Sequence, residues 1–174
     1  MNILNSIKGF IYGFKCSVKT ELDIMEMRKN ASVFGFPSVH VANIVDQGYP
    51  VFLADDFVFV NTKIRGLPQA YAVSLANGVK EIYINREFAQ LPEKVRDAVI
   101  GHEVGHLVLA QVYTAKERTL ANLGLSNKPY LCECAADDYS VTSGYDMLGA
   151  LIYLRDKCGY FGKELDKRIA RLSK

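Results

Sequence analysis

No stretch of about 18 uninterrupted apolar residues occurs in the chain, so a transmembrane helix is not expected. The most apolar segment, Ala98 to Val112, is broken by charged and polar residues and reads as a buried helix. The four cysteines, Cys16, Cys132, Cys134 and Cys158, show no C-x-x-C spacing, which argues against a closed structural zinc site. A disulfide framework is also unexpected in a chain of this size. The thiols read as small buried groups in a reducing compartment, which points to the cytoplasm. Net charge is only +2, with basic residues scattered among acidic ones and no basic arm, so nucleic-acid binding driven by bulk charge is not expected. Met1 to Phe14 lacks a basic segment before its apolar part and an A-x-A-like cleavage site, so no signal peptide is expected. No internal repeat and no low-complexity segment occurs.

What is present describes an ordinary globular protein. The 174 residues, 49% hydrophobic and 23% charged, suffice for one domain with a real core, which would span residues 1–174. Ile3, Leu4, Ile7, Phe10, Ile11 and Phe14 recur at helical spacing. They predict an amphipathic helix covering the core; a membrane-surface role for residues 1–14 is the alternative, weakened by few basic residues on the polar face. Lys19 to Val33 reads as a second helix, ended by Gly35 and Pro37, so residues 1–36 form an N-terminal helical segment.

Residues 37–86 change character. Val39–Val45, Phe57–Asn61, Gln69–Leu75 and Lys80–Ile84 are short, rich in β-branched and aromatic residues, and separated by turn formers. Asn77-Gly78 signals a hairpin between the last two. These strands predict a small antiparallel sheet. Residues 87–174 read as helical: one helix opened by Leu91-Pro92-Glu93 and running through His106 to about Val112, a polar connection from Thr114 to Lys128, then helices over Leu131–Ser143, Met147–Lys157 and Lys163–Leu172. Gly144 marks the stop of the first of these three.

Two of only three histidines fall in one pentapeptide, His102-Glu103-Val104-Gly105-His106. Residues four apart share a helix face, so both imidazoles can hold one metal ion, with Glu103 beside them as a general base. A catalytic zinc site needs a third protein ligand. Glu133, on the next predicted helix, is the best placed. Asp137, one turn beyond Glu133, is placed to receive the second N–H of a zinc-bound histidine. Gly101, Gly105 and Ala136 would let the two helices approach closely. The alternative for Glu133, Asp137 and Asp138 is a solvated acidic face. One Zn2+ per chain, polarising a carbonyl and acidifying a water while Glu103 moves the proton, suits amide hydrolysis. Tyr145, Tyr130, Tyr71 and His40 are equal candidates for an oxyanion stabiliser, and the sequence does not choose among them.

These residues resemble the gluzincin metallopeptidases, and among them the membrane zinc endopeptidases that include the CAAX prenyl-protein proteases and the heat-shock-induced membrane proteases. The likeness runs from about Phe57 to Leu154. Glu133-Cys134-Ala135-Ala136-Asp137 is similar to that family's E-x-x-A-D, whose Glu is the third zinc ligand. Leu91 to His106 resembles its histidine-bearing helix, and Gly144-Tyr145-Asp146 with Ala150-Leu151 the stretch that follows. The likeness implies that Gln69, Ala70, Tyr71 and Ala72 form the substrate-side edge strand, followed by Glu81 to Asn85. It implies a zincin-like α+β fold, with the sheet packed on an active-site helix and a second helix supplying the Glu ligand. Unlike those membrane proteins, this chain has a short polar connection between the zinc helices, as in a minimal soluble core. That spacing also resembles soluble metallopeptidases that cleave repressor proteins, which usually lack the A-D pair.

The leading expectation is a zinc metalloendopeptidase acting on a protein or peptide laid along the Gln69–Leu75 strand. The competing ones are a zinc-binding regulatory protein without turnover, a latent protease blocked by its N-terminal helices, and a repressor-cleaving regulatory peptidase. An intact Glu103 argues against the first of these alternatives, because a non-catalytic site has no need of a general base.

Overall fold

Residues 32–33, 49–53, 67–74, 80–109 and 127–174 are described by the computed structural model. The helix expected at the N-terminus, most of the second one, strands Val39–Val45 and Phe57–Asn61, the Asn77-Gly78 turn and His40 lie outside those residues. So does most of the Thr114–Lys128 connection.

Strand β3 (Ala70–Ser74) and strand β4 (Lys80–Ile84) pair antiparallel, with Tyr71 opposite Tyr83 and Ala72 opposite Ile82. On its other side β4 takes β2 (Val51–Leu53) in parallel, and β1 (Ser32–Val33) lies antiparallel to β2. The strand order is β1-β2-β4-β3. The expected antiparallel sheet is therefore corrected to a mixed one. Strand β4 runs antiparallel to β3 on one edge and parallel to β2 on the other, and the stretch between Leu53 and Lys80 is long enough for the crossover that a parallel pair requires. Ser32 and Val33, read from sequence as the end of a helix, instead pair with Leu53 and Phe52. Here a long-range pairing overrides a weak local preference.

Strand β4 has neighbours on both edges and is buried on both faces, with Ile82, Tyr83 and Ile84 fully enclosed. Ile82 and Ile84 enter the main core with Ile100 and Val104. On the opposite face, the Tyr83 hydroxyl donates to Glu81 Oε2 at 2.6 Å, and its ring stacks on Phe52 with centroids 5.4 Å apart.

One side chain joins the sheet to the first helix among the described residues, α1 (Arg86–Ala89). Asn85 Oδ1 accepts from the N–H of Phe88 at 2.9 Å, capping α1, and from that of Gln69 at 2.8 Å, while its Nδ2 donates to Leu67 O at 2.7 Å. The entry to β3 is thereby fixed. Helix α2 (Glu93–Val108) opens at Pro92, whose carbonyl accepts from Val95 and Arg96. Helices α3 (Lys128–Thr142), α4 (Met147–Cys158) and α5 (Lys163–Leu172) follow close to their predicted positions. α2 lies against β3, β4, α3 and α4, which explains its apolar residues on every side, and α5 docks on α4. Among the described residues no helix is long and apolar enough to cross a membrane.

The α2–α3 crossing is set by small residues. A Cβ built on Gly105 would stand 3.0 Å from Ala136 Cα and 3.0 Å from Tyr139 Cβ, and one on Gly101 would stand 2.9 Å from Ser140 Oγ. Ser140 Oγ itself donates to Ala98 O at 2.7 Å, tying the two helices at the same level. Gly105→Val is therefore expected to destabilise the protein by at least about 1–3 kcal/mol through overpacking. That is a drop in melting temperature of about 2–4 °C per kcal/mol. An unchanged thermal midpoint would mean that the helices do not approach at this point.

Candidate metal centre

His102 and His106 stand one turn apart on α2, their Nε2 atoms 3.1 Å from each other and their rings perpendicular. Across the crossing, α3 presents Glu133, whose Oε2 lies 3.4 Å from His102 Nε2 and whose Oε1 lies 3.4 Å from His106 Nε2. The close approach at Gly101, Gly105 and Ala136 is what brings a carboxylate of one helix to the imidazoles of the other. These three side chains form a group that can hold a metal ion.

The donor spacing fits such an ion. A tetrahedral zinc with bonds of about 2.0–2.1 Å sets its ligand atoms about 3.3–3.4 Å apart. The two imidazole Nε2 atoms, 3.1 Å apart, come close to that spacing, and with one oxygen of Glu133 the three donor atoms all lie within 4.8 Å of one another. Orientation also fits. His102 Nδ1 lies 2.8 Å from Asp137 Oδ1, a bond that keeps a proton on Nδ1 and turns Nε2 toward Glu133 and His106, where its lone pair would be free for an ion once the ring is neutral.

Electrostatics tie the group together. Burial works against charge on His102, but hydrogen bonds to Asp137 and Glu133 outweigh it and push its pKa up to about 9. Asp137, bonded to Nδ1, makes the neutral imidazole a stronger electron-pair donor at Nε2. Burial would raise Glu133, yet hydrogen bonds from His102 and His106, with the charge of Arg168, hold it well below the usual carboxylate range. Asp137, fully enclosed, is likewise held low against burial by His102 and Arg168. A solvated acidic face is thus not what Glu133 and Asp137 form. Asp138 alone is exposed, paired with Arg171 Nη1 at 2.6 Å.

Glu103 stands apart from the three donors. Its Oε2 accepts the N–H of Ala72 on β3 at 2.8 Å, and burial pushes its carboxyl above the usual range while His102 and His106 pull it down. Ala72 is one of the four residues expected on the substrate-side strand. Among the described residues β3 is the last strand in the sheet order, and Gln69, just before it, is held through its N–H by Asn85.

The remaining tyrosines fall in different places. Tyr145 packs its ring against Gly101. Tyr130 sits under Lys167 Nζ, 5.9 Å from its ring centroid. Tyr71 is on β3 opposite Tyr83. Two side chains not singled out from the sequence also reach this region. Tyr160, in the turn between α4 and α5, donates to Pro68 O at the entry to β3, and burial pushes its hydroxyl up to about 12, with Glu103 and Tyr71 adding to the rise. Arg168 on α5 bonds both Glu133 and Asp137. Its signal in the sequence was faint: two arginines three residues apart, Arg168 and Arg171, on one amphipathic helix.

Asp137→Asn is expected to weaken zinc affinity about 10- to 100-fold, as losing the carboxylate behind a metal-ligating histidine typically does. Competition with a chromogenic chelator measures it. Wild-type affinity in the variant would leave Asp137 only a packing role.

In comparisons with known proteins, no family model, no curated protein and no solved structure matches this chain.

Proposed function

We propose that this chain is a zinc-dependent endopeptidase with a zincin-like catalytic core of the gluzincin type. One observation carries the reading: His102, His106 and Glu133 converge at the spacing of zinc ligands, while Glu103, inside the same motif, is held outside the group against the edge strand.

A zinc ion held by His102, His106 and Glu133 would supply Lewis acidity, polarising a scissile carbonyl and acidifying a water. The protein's own groups do the rest. Glu103 takes the proton from that water and passes it to the leaving amine. The Ala72 N–H holds one carboxylate oxygen of Glu103 and leaves the other to carry the proton. Asp137 keeps His102 in the tautomer that presents Nε2.

A peptide added along β3 is the substrate pose this arrangement favours. Tyr71 faces Tyr83 and the Gln69 carbonyl accepts from Asn85 N, whereas the Ala72 N–H points to Glu103. By the alternation of an antiparallel pair, the main-chain groups of Ala70 and Ser74 share the outward direction of Ala72. A peptide bond pairing there would lie beside the general base.

The test is a digest of a proteome-derived peptide library by the zinc-loaded chain, with new termini read by mass spectrometry. Internal cuts that vanish on chelation and return with zinc are expected. A chain that holds stoichiometric zinc and makes no cut would overturn the peptidase reading and favour a zinc-binding regulator.

A further inference from the structure

The guanidinium of Arg168 makes three hydrogen bonds to two carboxylates of another helix. Nε donates to Asp137 Oδ2 at 2.9 Å, Nη2 to Asp137 Oδ1 at 2.6 Å, and Nη1 to Glu133 Oε2 at 2.9 Å. The planar fork of arginine suits this arrangement, and a lysine has no equivalent of it. The side chains are shielded from water, 13% exposed for Arg168, 0% for Asp137 and 26% for Glu133, so solvent does little to weaken the contact.

Two consequences follow for the donor group. Glu133 and Asp137 are one turn apart on α3, where two carboxylates repel. Arg168 offsets that repulsion by bonding both carboxylates beside the histidines. It also fixes how the Glu133 carboxylate is turned. Oε2 accepts from Arg168 and stands 3.4 Å from His102 Nε2, while Oε1 faces His106 Nε2 at 3.4 Å. Asp137 Oδ1 accepts from both Arg168 Nη2 and His102, so one guanidinium orients a carboxylate ligand and, through Asp137, an imidazole ligand.

We propose that Arg168 is a positioning residue of the metal centre, holding the Glu133 carboxylate against His102 and His106 and coupling the docking of helix α5 to metal binding. This rests on the reading of His102, His106 and Glu133 as metal ligands. Because coupling is reciprocal, an ion at the centre stabilises the docked helix as much as the docked helix strengthens the ion's hold. Leu165, Ile169 and Leu172 seat α5 on the core, so the helix has an apolar anchor independent of Arg168.

The experiment uses the full chain, freed of metal and titrated with Co2+, whose visible absorption reports both occupancy and coordination geometry. Arg168→Gln is expected to weaken Co2+ affinity about 10- to 100-fold and to change the absorption bands. Arg168→Lys, which keeps the charge, should recover part of the affinity but not the wild-type bands, since one ammonium cannot hold both carboxylates in plane. Lys167→Gln removes a charge from the neighbouring position and should alter neither. Circular dichroism of the metal-free proteins checks the fold; if Arg168→Gln does not fold, the Lys variant decides. A folded Arg168→Gln, or otherwise Arg168→Lys, matching wild type in affinity and bands overturns the proposal. Absence of Co2+ binding by wild type overturns the metal-centre reading itself, and the role of Arg168 with it.

Discussion

Glutamine in place of Glu103 is expected to leave zinc content and fold unchanged and to cut peptide hydrolysis by about 10²- to 10⁴-fold, the usual contribution of general acid–base catalysis. The separation follows from where Glu103 stands. It is not one of the three converging donors, so zinc does not depend on it. Its contact with the fold is the N–H of Ala72, which a glutamine carbonyl can accept equally well. What glutamine cannot do is take a proton. Burial already pushes the Glu103 carboxyl above the ordinary range, against the pull of His102 and His106. The comparison requires a peptide that wild type cleaves, equal zinc loading verified by elemental analysis, and kcat/KM for both proteins. Equal turnover would remove Glu103 from the chemistry and leave the site a metal-binding one only.

The parts of this site that were legible in the sequence are those fixed by helical periodicity. The i, i+4 spacing of His102 and His106 places them on one face whatever the tertiary fold, and the same rule puts Asp137 beside Glu133. Gly101, Gly105 and Ala136 announced a close crossing because residues without side-chain bulk at helical spacing let backbones approach. The β3–β4 hairpin was equally local. Less legible was whatever depends on which distant segments face each other. Val51–Leu53 and Ser32–Val33 are too short for alternation to show, and their pairing is decided by the partner strand. This is why the sheet was read as antiparallel when β2 and β4 run parallel. Arg168 escaped for a related reason. On an amphipathic helix an arginine reads as part of a solvated face, and only the docking of α5 shows that its head reaches two carboxylates on α3. Tyr160 likewise gains meaning only from the turn that carries it to Pro68.

Purified protein is expected to carry about one zinc per chain, and alanine at His102, His106 or Glu133 to remove most of it. A zinc site of several protein ligands binds with about 10–16 kcal/mol, so losing one ligand forfeits roughly 3–4 kcal/mol, or on the order of 10²- to 10³-fold in affinity. The three substitutions should not be equivalent in their other effects. His102 is 5% exposed and bonded to Asp137, so His102→Ala also takes a hydrogen-bond partner from a buried carboxylate, leaving it Arg168 and Arg171, and should lower stability further. His106 and Glu133 are less deeply placed, and their replacement should affect zinc more than fold. Glu133→Ala is the decisive variant, because the histidine pair belongs to the motif whereas the carboxylate is assigned from the helix crossing. Zinc content measured by elemental analysis after dialysis against a weak chelator separates the cases. If Glu133→Ala kept a full equivalent of zinc while His102→Ala lost it, the third ligand would lie elsewhere, and the convergence of Glu133 on the histidines would be an ion pair rather than a metal site.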